Sequence, residues 1–573
     1  MKTMGISVLC TCASVLSLHA LPVRAAEYID APALAKVVKA RVGDCTGRGA
    51  TQLPLITWGG DIATIHANGN ARKTARGSAF AAEGLDLELV REDVFANQVA
   101  AYLECKSPYL RGTLGMLNMA AEVTSADPRT EMVPIYQMTW SAGGDALVVK
   151  QGIKSPSDLK GKTVVVQAYG PHVDYMTTVL EDAGLKPSDV KIRFVKDLVG
   201  FEGSTPTAAF HDDPSVDAAF VIIPDALALT SSGTVGTGAE DSVRGATILL
   251  STKTANRIIA DVYAVRRDYL DANRAKVQGL VHGLMVGEEK LRELVQSKGA
   301  DYTSAIRAAA EILLDSPQAT SDAEGMYADA EFVGWIGNVK FFGDAKYPRN
   351  ADRLRTEVQS AFQQIGLLTK RVAIDHARWD YRELSAGLAD TSGVEVPRFD
   401  EAAVARVVTR KQQQGTLREG ELFSFEVYFK PNQTDFSPQL YGDSFERVIE
   451  LASTYGGAII TVEGHSDPLG YLRAKKEGKP DVVLRRMMQA AKNLSLSRAN
   501  SVRDSVVAFA ASGSVSLDTS QFAVVGHGIL EPRSGMCGND PCPPKTEQQW
   551  LDNMRVEFRI IQIEAEANVF KPL

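Results

Sequence analysis

A histidine, a hydroxyl and a carboxylate stand side by side in the sequence Gly464-His465-Ser466-Asp467, where a predicted strand ends. Catalysis, metal binding and ligand capture all use such groups. Three adjacent residues cannot converge on one proton path, so a serine–histidine–aspartate triad is not expected here. Asp467 remains as an anion at the end of a strand, and its function depends on which cation faces it.

Arg498 is the candidate cation, and it stands in the sequence "LSLSRANSVRDSV". Ser495 is a good N-cap, which predicts a helix with Arg498 in its first turn. Val502, Val506 and Phe509 follow Arg498 at i+4, i+8 and i+11. This spacing puts Arg498 on the buried face of the helix, where a guanidinium needs an anionic partner.

The elements around these residues form a small α+β domain that follows a larger α/β domain. From about residue 51 to 385, short apolar strands such as "KTVVVQAYG" alternate with amphipathic helices, of which 273–296 is the longest. Such alternation predicts mostly parallel sheets. Residues 386–420 are polar and glycine-rich and predict a linker with a short helix around 401–410. Strands and helices then alternate again from residue 421.

Length and composition favour a soluble protein with several domains. The chain has 573 residues, of which 45% are apolar and 23% are charged. A formal net charge of -8 gives no reason to expect nucleic acid, because phosphate backbones recruit basic surfaces. No segment after residue 25 is long and apolar enough to span a membrane.

The N-terminus predicts export. Lys2 precedes a mostly apolar run, and Val23 and Ala25 fit a signal peptidase site with cleavage before Ala26. Residues 1–25 are therefore interpreted as a signal peptide that directs the chain to the periplasm.

Two of the six cysteines, Cys10 and Cys12, leave with the signal peptide. Four remain, and an even number of cysteines is typical of a protein in an oxidising compartment. The remaining four predict the disulfides Cys45–Cys105 and Cys537–Cys542. No second CxxC-type pair follows the last one, so no metal site is expected.

A resemblance appears in the segment "SPSDLKGKTVVV", supported by "VDAAFVIIPDA" and by the later helix. It is similar to periplasmic solute-binding proteins of the nitrate, sulfonate and taurine type, which serve ABC importers, and it covers about residues 51–385. The resemblance implies a two-lobed α/β fold over 26–385 with a small solute between the lobes. The implied partners are that solute and an ABC permease or another envelope protein.

Helix N-termini and glycine loops between such lobes favour a polar or anionic solute. The relevant loops are "TWGGD", "RGTLG", "SAGGD" and "AYGPH". The glycine pairs can instead make only tight turns, Trp58 can be a core residue, and His172 is expected to be an ordinary helix residue. The predicted solute-binding residues are Trp58, Gly59, Thr113, Ser141, Gly143, Tyr169, Gly170, Pro224 and Asp225.

A second resemblance joins "GHSD", "LSLSRA" and "NMRVE". In this order they resemble the OmpA-like peptidoglycan-binding domain, over about residues 421–565 of a domain 421–573. The resemblance implies binding of the diaminopimelate stem peptide, with Asp467 on its ammonium group and Arg498 on its carboxylate. Ser466 and Arg555 complete the predicted site, although Arg555 can also be a strand salt bridge. The sequence departs from the family in a basic insertion after Gly470 and in Met554.

These features predict a two-lobed periplasmic-binding-protein fold followed by a small α+β OmpA-like domain. The sequences GxSxG, HExxH and GxxxxGK[ST] are absent, so neither an enzyme nor a cofactor is expected. The predicted function is solute capture by an exported protein tethered to peptidoglycan, associated with the wall or the outer membrane. The alternative is a structural or sensory adaptor on the wall that transports nothing.

Overall fold

The computed structural model describes residues 26–45, 51–200, 203–239, 241–391, 399–418, 421–430, 441–538 and 540–562. The predicted signal peptide lies outside these residues. Both predicted disulfides, Cys45–Cys105 and Cys537–Cys542, are present. Within the described ranges, no helix combines the length and the apolar character needed to cross a bilayer.

Three sheets form the N-terminal region, which we define as residues 26–391. We name the part with the four-stranded and the two-stranded sheet lobe 1, and the part with the five-stranded sheet lobe 2. The strands of lobe 1 are β1 (Thr51–Leu55), β2 (Leu87–Arg91), β3 (Tyr109–Thr113), β4 (Met132–Ser141), β10 (Ala260–Arg266) and β11 (Ala330–Phe332). Those of lobe 2 are β5 (Asp145–Val149), β6 (Thr163–Gln167), β7 (Lys191–Val195), β8 (Ala218–Ile222) and β9 (Thr247–Ser251).

Antiparallel pairs are more frequent in these sheets than the predicted parallel ones. The order in lobe 1 is β11-β4-β10-β3, antiparallel throughout, beside the parallel pair β1–β2. Lobe 2 has the order β7-β6-β8-β5-β9, in which β5 runs antiparallel to both its neighbours. The expectation of mostly parallel sheets is wrong because the chain crosses from lobe 1 to lobe 2 after β4 and returns before β10. The outgoing and returning strands therefore run in opposite directions.

Helices cover both lobes, and the predicted helix 273–296 is present within α9 (Arg267–Ser297). In α9, Val277, Leu280, Val281 and Leu284 are buried, as their spacing predicts. The helices of this region are α1 (Leu34–Val37), α2 (Asp61–Ala67), α3 (Ala79–Ala82), α4 (Phe95–Leu103), α5 (Leu114–Thr124), α6 (His172–Asp182), α7 (Pro206–Asp212), α8 (Ile223–Leu229), α9 (Arg267–Ser297), α10 (Ala300–Leu314), α11 (Thr320–Ala328), α12 (Gly334–Asn338), α13 (Ala351–Gln364) and α14 (Tyr381–Leu384).

The C-terminal region, defined as residues 399–562, is built on one sheet with helices on both faces. Its strand order is β12-β17-β13-β14, and β13 and β14 are parallel. The strands are β12 (Glu421–Tyr428), β13 (Ile459–His465), β14 (Phe522–Gly528), β15 (Met536–Cys537), β16 (Asp540–Pro541) and β17 (Arg555–Ile561). The helices are α15 (Glu401–Gln414), α16 (Gly442–Thr454), α17 (Leu469–Lys476), α18 (Asp481–Ser512) and α19 (Glu547–Asp552).

Successive residues of each strand lie on opposite faces of this sheet, so the two faces have different cores. Val462 of β13 and Val556 of β17 share a core with residues of α16 and α18. On the other face, Ile459 and Ile561 pack against α15 through Val404 and neighbouring residues. The part of the predicted linker that forms α15 is therefore a helix that covers part of the sheet.

The predicted start of the helix that carries Arg498 is wrong. Helix α18 begins at Asp481, after Pro480, so Ser495 lies in its interior and Arg498 is not in its first turn. The Ser495 hydroxyl donates to the carbonyl of Lys492 and accepts from the N–H of Gly528, which fastens the helix to β14. The basic insertion forms α17 and the first half of α18, because its sequence continues the helical pattern upstream.

Hydrogen bonds connect the two regions. The Asp182 carboxylate at the end of α6 lies 3.1 Å from Arg447 and accepts a hydrogen bond from Tyr455 at 2.9 Å. The Gly457 N–H donates to the carbonyl of Thr254 at 3.1 Å. A Cβ added to Gly457 would stand 1.8 Å from the Lys253 carbonyl oxygen, so the two backbones pass in direct contact.

This close approach generates a stability prediction. Replacement of Gly457 by alanine forces the backbones at the contact apart, and we expect it to lower the free energy of unfolding by about 1–3 kcal/mol. Gly442→Ala is the matched control, because a Cβ there meets nothing within 4 Å. Thermal unfolding of the full chain measures both variants. Equal melting temperatures for Gly457→Ala and the control would contradict the contact.

Candidate binding sites

Two segments join the lobes, and we name them the connecting segments 141–145 and 251–260. Hydrogen bonds hold these two segments together. The Ser141 hydroxyl lies 2.6 Å from Asp145 Oδ2 and 2.9 Å from the Thr252 hydroxyl. Thr252 Oγ1 also accepts from the N–H groups of Gly143 and Asp145, each at 3.1 Å. Ser141 and Gly143, which the sequence predicts as solute ligands, thus hold the connecting segments together.

A buried arginine of β3 binds two aspartates of lobe 1. Arg111 Nη2 donates to Asp61 Oδ2 at 2.7 Å, and Nη1 donates to Asp261 Oδ1 at 2.8 Å. Its Nε donates to both oxygens of Asp61, at 3.2 and 3.1 Å. Every nitrogen of the guanidinium is bonded to an aspartate, so Arg111 offers little to an anionic solute.

Lobe 2 contributes two further carboxylates and a histidine to the boundary between the lobes. His172 Nε2 lies 2.6 Å from Asp145 Oδ1, and the imidazole is fully buried. Asp174 lies against the first turn of α5 in lobe 1, where a Cβ on Gly115 would be 2.6 Å from its Oδ2. Burial raises the pKa of Asp174 to about 8, and the carboxylates of Asp145 and Asp261 act in the same direction. Acidic groups therefore gather at this boundary, and the raised pKa of Asp174 keeps its carboxyl group protonated at neutral pH.

The first three predicted solute-binding residues have structural partners. Trp58 Nε1 donates to Thr139 Oγ1 at 3.1 Å, and its ring lies 2.5 Å from where Gly144 would carry a Cβ. Gly59 packs on the carbonyl of Met326, and Thr113 caps α5 by accepting from the Met116 N–H at 3.1 Å. Trp58 thus fills space beside the connecting segment 141–145.

The remaining predicted residues lie on lobe 2. Tyr169 donates to the carbonyl of Pro32 at 2.6 Å, and Gly170 packs against the Gln167 side chain. Asp225 accepts from the Thr207 hydroxyl and is near enough to His172 to interact with it electrostatically. Pro224 is exposed in the first turn of α8.

Sequence reasoning missed the charged residues at the boundary between the lobes. The signal was present, because each charge interrupts a strongly apolar strand or opens a helix. Arg111 follows Leu110 in β3, and Asp261 follows Ala260 in β10. A charge at a buried strand position must have a partner, and here the partners come from elements far apart in the chain. The six residues are Asp61, Arg111, Asp145, His172, Asp174 and Asp261.

In the C-terminal region, the end of β13 carries the predicted peptidoglycan site. The Ser466 N–H donates to the Gly528 carbonyl at 2.8 Å, and its hydroxyl donates to the Ala491 carbonyl at 3.2 Å. Asp467 is partly exposed, and its Oδ1 accepts from the Leu469 N–H at 2.8 Å. Ser466 is thus a structural residue that fixes where Asp467 leaves the strand.

Arg498 reaches the same strand end from α18. It is 1% exposed, lies 5.3 Å from the Phe429 ring, and donates to the carbonyls of His465 and Lys430, each at 3.3 Å. Burial lowers the pKa of Arg498, and the Asp467 carboxylate acts in the opposite direction. An acid and a guanidinium therefore stand within electrostatic range of one another, although residues 431–440 beside Lys430 lie outside the described ranges.

Arg555 lies on the other face of the sheet. Its Nε donates to Glu557 Oε1 at 2.6 Å and stands 3.6 Å from Glu426 Oε1. These contacts are those of a strand salt bridge, one of the two roles considered for this residue. Nearby on the same face, Glu463, His465 and His527 offer ligand atoms within 4.8 Å of one another, a set that could hold a metal ion.

Comparison with protein families gives a match for the N-terminal region. Residues 79–293 match the family described as NMT1/THI5 like. This match spans less than half of the chain. A comparison with curated proteins finds no match.

Solved structures similar to the chain are distant. The periplasmic aliphatic sulphonate binding protein SsuA from Escherichia coli is 15% identical with a TM-score of 0.40, covering 61% of this chain and 96% of its own. The alkanesulfonate-binding protein SsuA from Xanthomonas axonopodis pv. citri is 14% identical with a TM-score of 0.38, covering 57% and 98%. The desulfurization enzyme DSZB is 15% identical with a TM-score of 0.36, covering 59% and 99%. Likeness at this level carries no conclusion about fold or ligand.

The raised pKa of Asp174 predicts how stability depends on pH. An acid whose pKa is higher in the folded than in the unfolded chain keeps its proton longer in the folded state. Its contribution to stability is therefore lost as the pH rises from the unfolded value of 3.8 toward about 8.

Replacement of Asp174 by asparagine removes this dependence, so we expect the variant to be more stable than the native chain at about pH 8 and to lose less stability above about pH 5. Urea unfolding at both pH values measures the effect. The control is Asp271→Asn, an exposed residue of α9. An unchanged pH profile in Asp174→Asn would contradict a buried carboxylate that resists ionisation.

Proposed function

We propose that this chain is an exported solute-binding protein that its C-terminal region holds on peptidoglycan. The observation that carries the proposal is the buried Arg498 guanidinium beside the strand-end carboxylate of Asp467. The NMT1/THI5-like match supports the solute-binding half. No chemical step is assigned to either region.

A stem peptide with diaminopimelate presents an ammonium and a carboxylate on one carbon. Asp467 accepts the ammonium, and Arg498 receives the carboxylate through two parallel hydrogen bonds, which guanidinium geometry allows. The two hydrogen bonds of Arg498 to backbone carbonyls are 3.3 Å, long for N–H···O contacts. Exchange of such bonds for charge-assisted ones favours binding of the ligand.

The solute is a small polar molecule that meets carboxylates between the lobes. Asp61 and Asp261 already saturate Arg111, and Asp145 and Asp174 face them from lobe 2. Because aspartates already pair with the buried guanidinium of Arg111, we favour a solute with a positively charged group over the anionic class that the sequence suggested. An ABC permease is the partner that would receive it.

The proposed organisation is a signal peptide at 1–25, a two-lobed domain at 26–385, a linker at 386–420 and a peptidoglycan-binding domain at 421–573. Because α15 packs on the C-terminal sheet, we assign this helix to the last domain. Export and disulfides favour the periplasm, with wall or outer-membrane association through the stem peptide. Attachment to the wall raises the local concentration of the receptor.

A second candidate is an adaptor on the wall that transports nothing. Its support is the tight contact between the lobes, where Trp58 packs on Gly144 and Asp174 packs on Gly115. A receptor of this kind must open to admit a solute, whereas an adaptor can keep the boundary closed.

The tether predicts that two substitutions abolish retention on cell walls. Purified sacculi that contain meso-diaminopimelate should sediment the native chain but not Asp467→Asn or Arg498→Lys. The lysine keeps the charge and loses the bidentate geometry, so we expect its retention to be weaker than that of the native chain by roughly tenfold or more.

Arg485→Lys is the matched control, an exposed residue of the same helix that should retain full binding. Far-UV circular dichroism confirms that each variant is folded. Retention of both site variants at the native level would refute the assignment of Asp467 and Arg498.

The solute prediction is tested by thermal shift of the full chain with putrescine, glycine, taurine, methanesulfonate and nitrate. We expect putrescine to raise the melting temperature and the four anion-bearing compounds to raise it less, because acidic groups line the boundary. A rise with methanesulfonate or nitrate alone contradicts a cationic solute. An unchanged melting temperature with every compound of a wider panel of amines, amino acids and vitamins favours the adaptor.

A further inference from the structure

Four polar side chains meet on the face of the C-terminal sheet that α15 covers in part. Glu463 and His465 belong to β13, His527 to β14 and Glu557 to β17. Glu463 and Glu557 stand directly opposite in the antiparallel register, an arrangement of like charges that costs stability without a cation between them. All four side chains are at most 4% exposed.

Both imidazoles are fixed through their Nδ1 atoms by one residue, Glu531. His465 Nδ1 lies 2.9 Å from the Glu531 carbonyl, and His527 Nδ1 lies 3.0 Å from its carboxylate. Contact with a carbonyl makes His465 Nδ1 the donor, which leaves Nε2 as an unprotonated acceptor in the neutral ring. Metal-binding histidines are oriented in this way, by a carbonyl or carboxylate on the nitrogen that does not bind the metal.

The opposite nitrogens face the glutamates. His527 Nε2 lies 2.9 Å from Glu463 Oε2. His465 Nε2 is buried and has no hydrogen-bond partner among the described residues, and Glu557 Oε1 lies 3.8 Å from it. A bare lone pair that faces a carboxylate in a buried site is a position for a cation.

Arginines balance part of the negative charge without closing this position. Arg559 Nε lies 3.1 Å from Glu463 Oε1, and Arg555 Nε binds Glu557 Oε1. Arg559 also contacts the second oxygen of Glu557. Glu463 Oε2 thus contacts His527, whereas arginines contact Glu463 Oε1 and both oxygens of Glu557. Residues that bind the ligands of a metal ion orient them in a similar way.

We propose that His465, His527 and Glu463 bind a zinc ion, with Glu557 as the fourth ligand. Two imidazoles and two carboxylates form a donor set that zinc accepts in tetrahedral geometry, with bonds of about 2.0–2.2 Å. The three ligand atoms now lie within 4.8 Å, and tetrahedral zinc requires about 3.3 Å. The two rings are parallel with centroids 4.7 Å apart, so binding tilts them toward each other.

The zinc would connect β13, β14 and β17 beneath the strand end that carries Asp467. His465 is two residues before Asp467, and its carbonyl receives a hydrogen bond from Arg498. The site therefore stabilises the peptidoglycan-binding end without contact to that ligand. It departs from the expectation that the chain holds no metal, because its ligands come from three separated strands without a sequence motif.

The experiment measures Zn²⁺ bound by the full chain after chelator treatment and dialysis against added Zn²⁺. We expect about one tightly bound zinc ion per chain in the native protein. His465→Gln and Glu463→Gln should weaken zinc binding roughly tenfold or more in competition with a chromogenic chelator. His211→Gln is the matched control, since this exposed histidine also pairs with a carboxylate but lies in the N-terminal region.

X-ray absorption of the zinc-loaded native chain keeps the proposal testable if a variant does not fold. Two imidazoles with two oxygen ligands are expected. No tight zinc in the native chain would overturn the proposal, and so would a signal lost in His211→Gln but kept in His465→Gln. Either result leaves a protonated His527 that bridges Glu463 and Glu531 as the explanation of the cluster. Sacculus retention by Asp467 and Arg498 is measured separately, so this test does not depend on the tether.

Discussion

The connecting segment 251–260 joins lobe 2 to lobe 1 and also contacts the C-terminal region. Its Thr252 hydroxyl binds the other connecting segment through Ser141, Gly143 and Asp145. Its Thr254 carbonyl accepts from the C-terminal region, and the Arg257 N–H donates to the Thr454 carbonyl at 3.2 Å. Movement of one lobe against the other must therefore change contacts to the C-terminal region as well. The proposed solute capture and the proposed wall attachment therefore share this short piece of backbone.

Two buried arginines differ in their close partners, and this difference separates a structural residue from a candidate binding residue. Arg111 has carboxylates on each of its nitrogens, so its charge is compensated within the fold and it stabilises lobe 1. Arg498 meets backbone carbonyls and an aromatic ring, with Asp467 as a more distant anion. The pairing of Arg111 disfavours an anionic solute there, whereas the proposed tether uses Arg498 together with the strand-end carboxylate of Asp467.

Much of the fold could be predicted from the sequence, because period and composition are local properties. The strand in "KTVVVQAYG" and the helices α9 and α15 follow their local patterns, and the cysteine pairs follow from their number and compartment. The direction of the strands could not be predicted, since it depends on where the chain crosses between the lobes. The start of α18 was also missed, because Ser495 has the character of an N-cap and yet serves β14 from inside a helix.

The sequence by itself determined much of the secondary structure, the disulfides, and the positions of Asp467 after a strand and of Arg498 on a buried helix face. Only the tertiary structure decided which charges share a site. Asp61, Arg111 and Asp261 are far apart in the chain, as are Glu463, His527 and Glu557. Their local patterns can mark a charge as buried, but they do not show which other charge it meets. The physical reason is that burial is a collective property. A charge acquires its partners, its pKa and its use only when separate strands bring it out of water beside another charge.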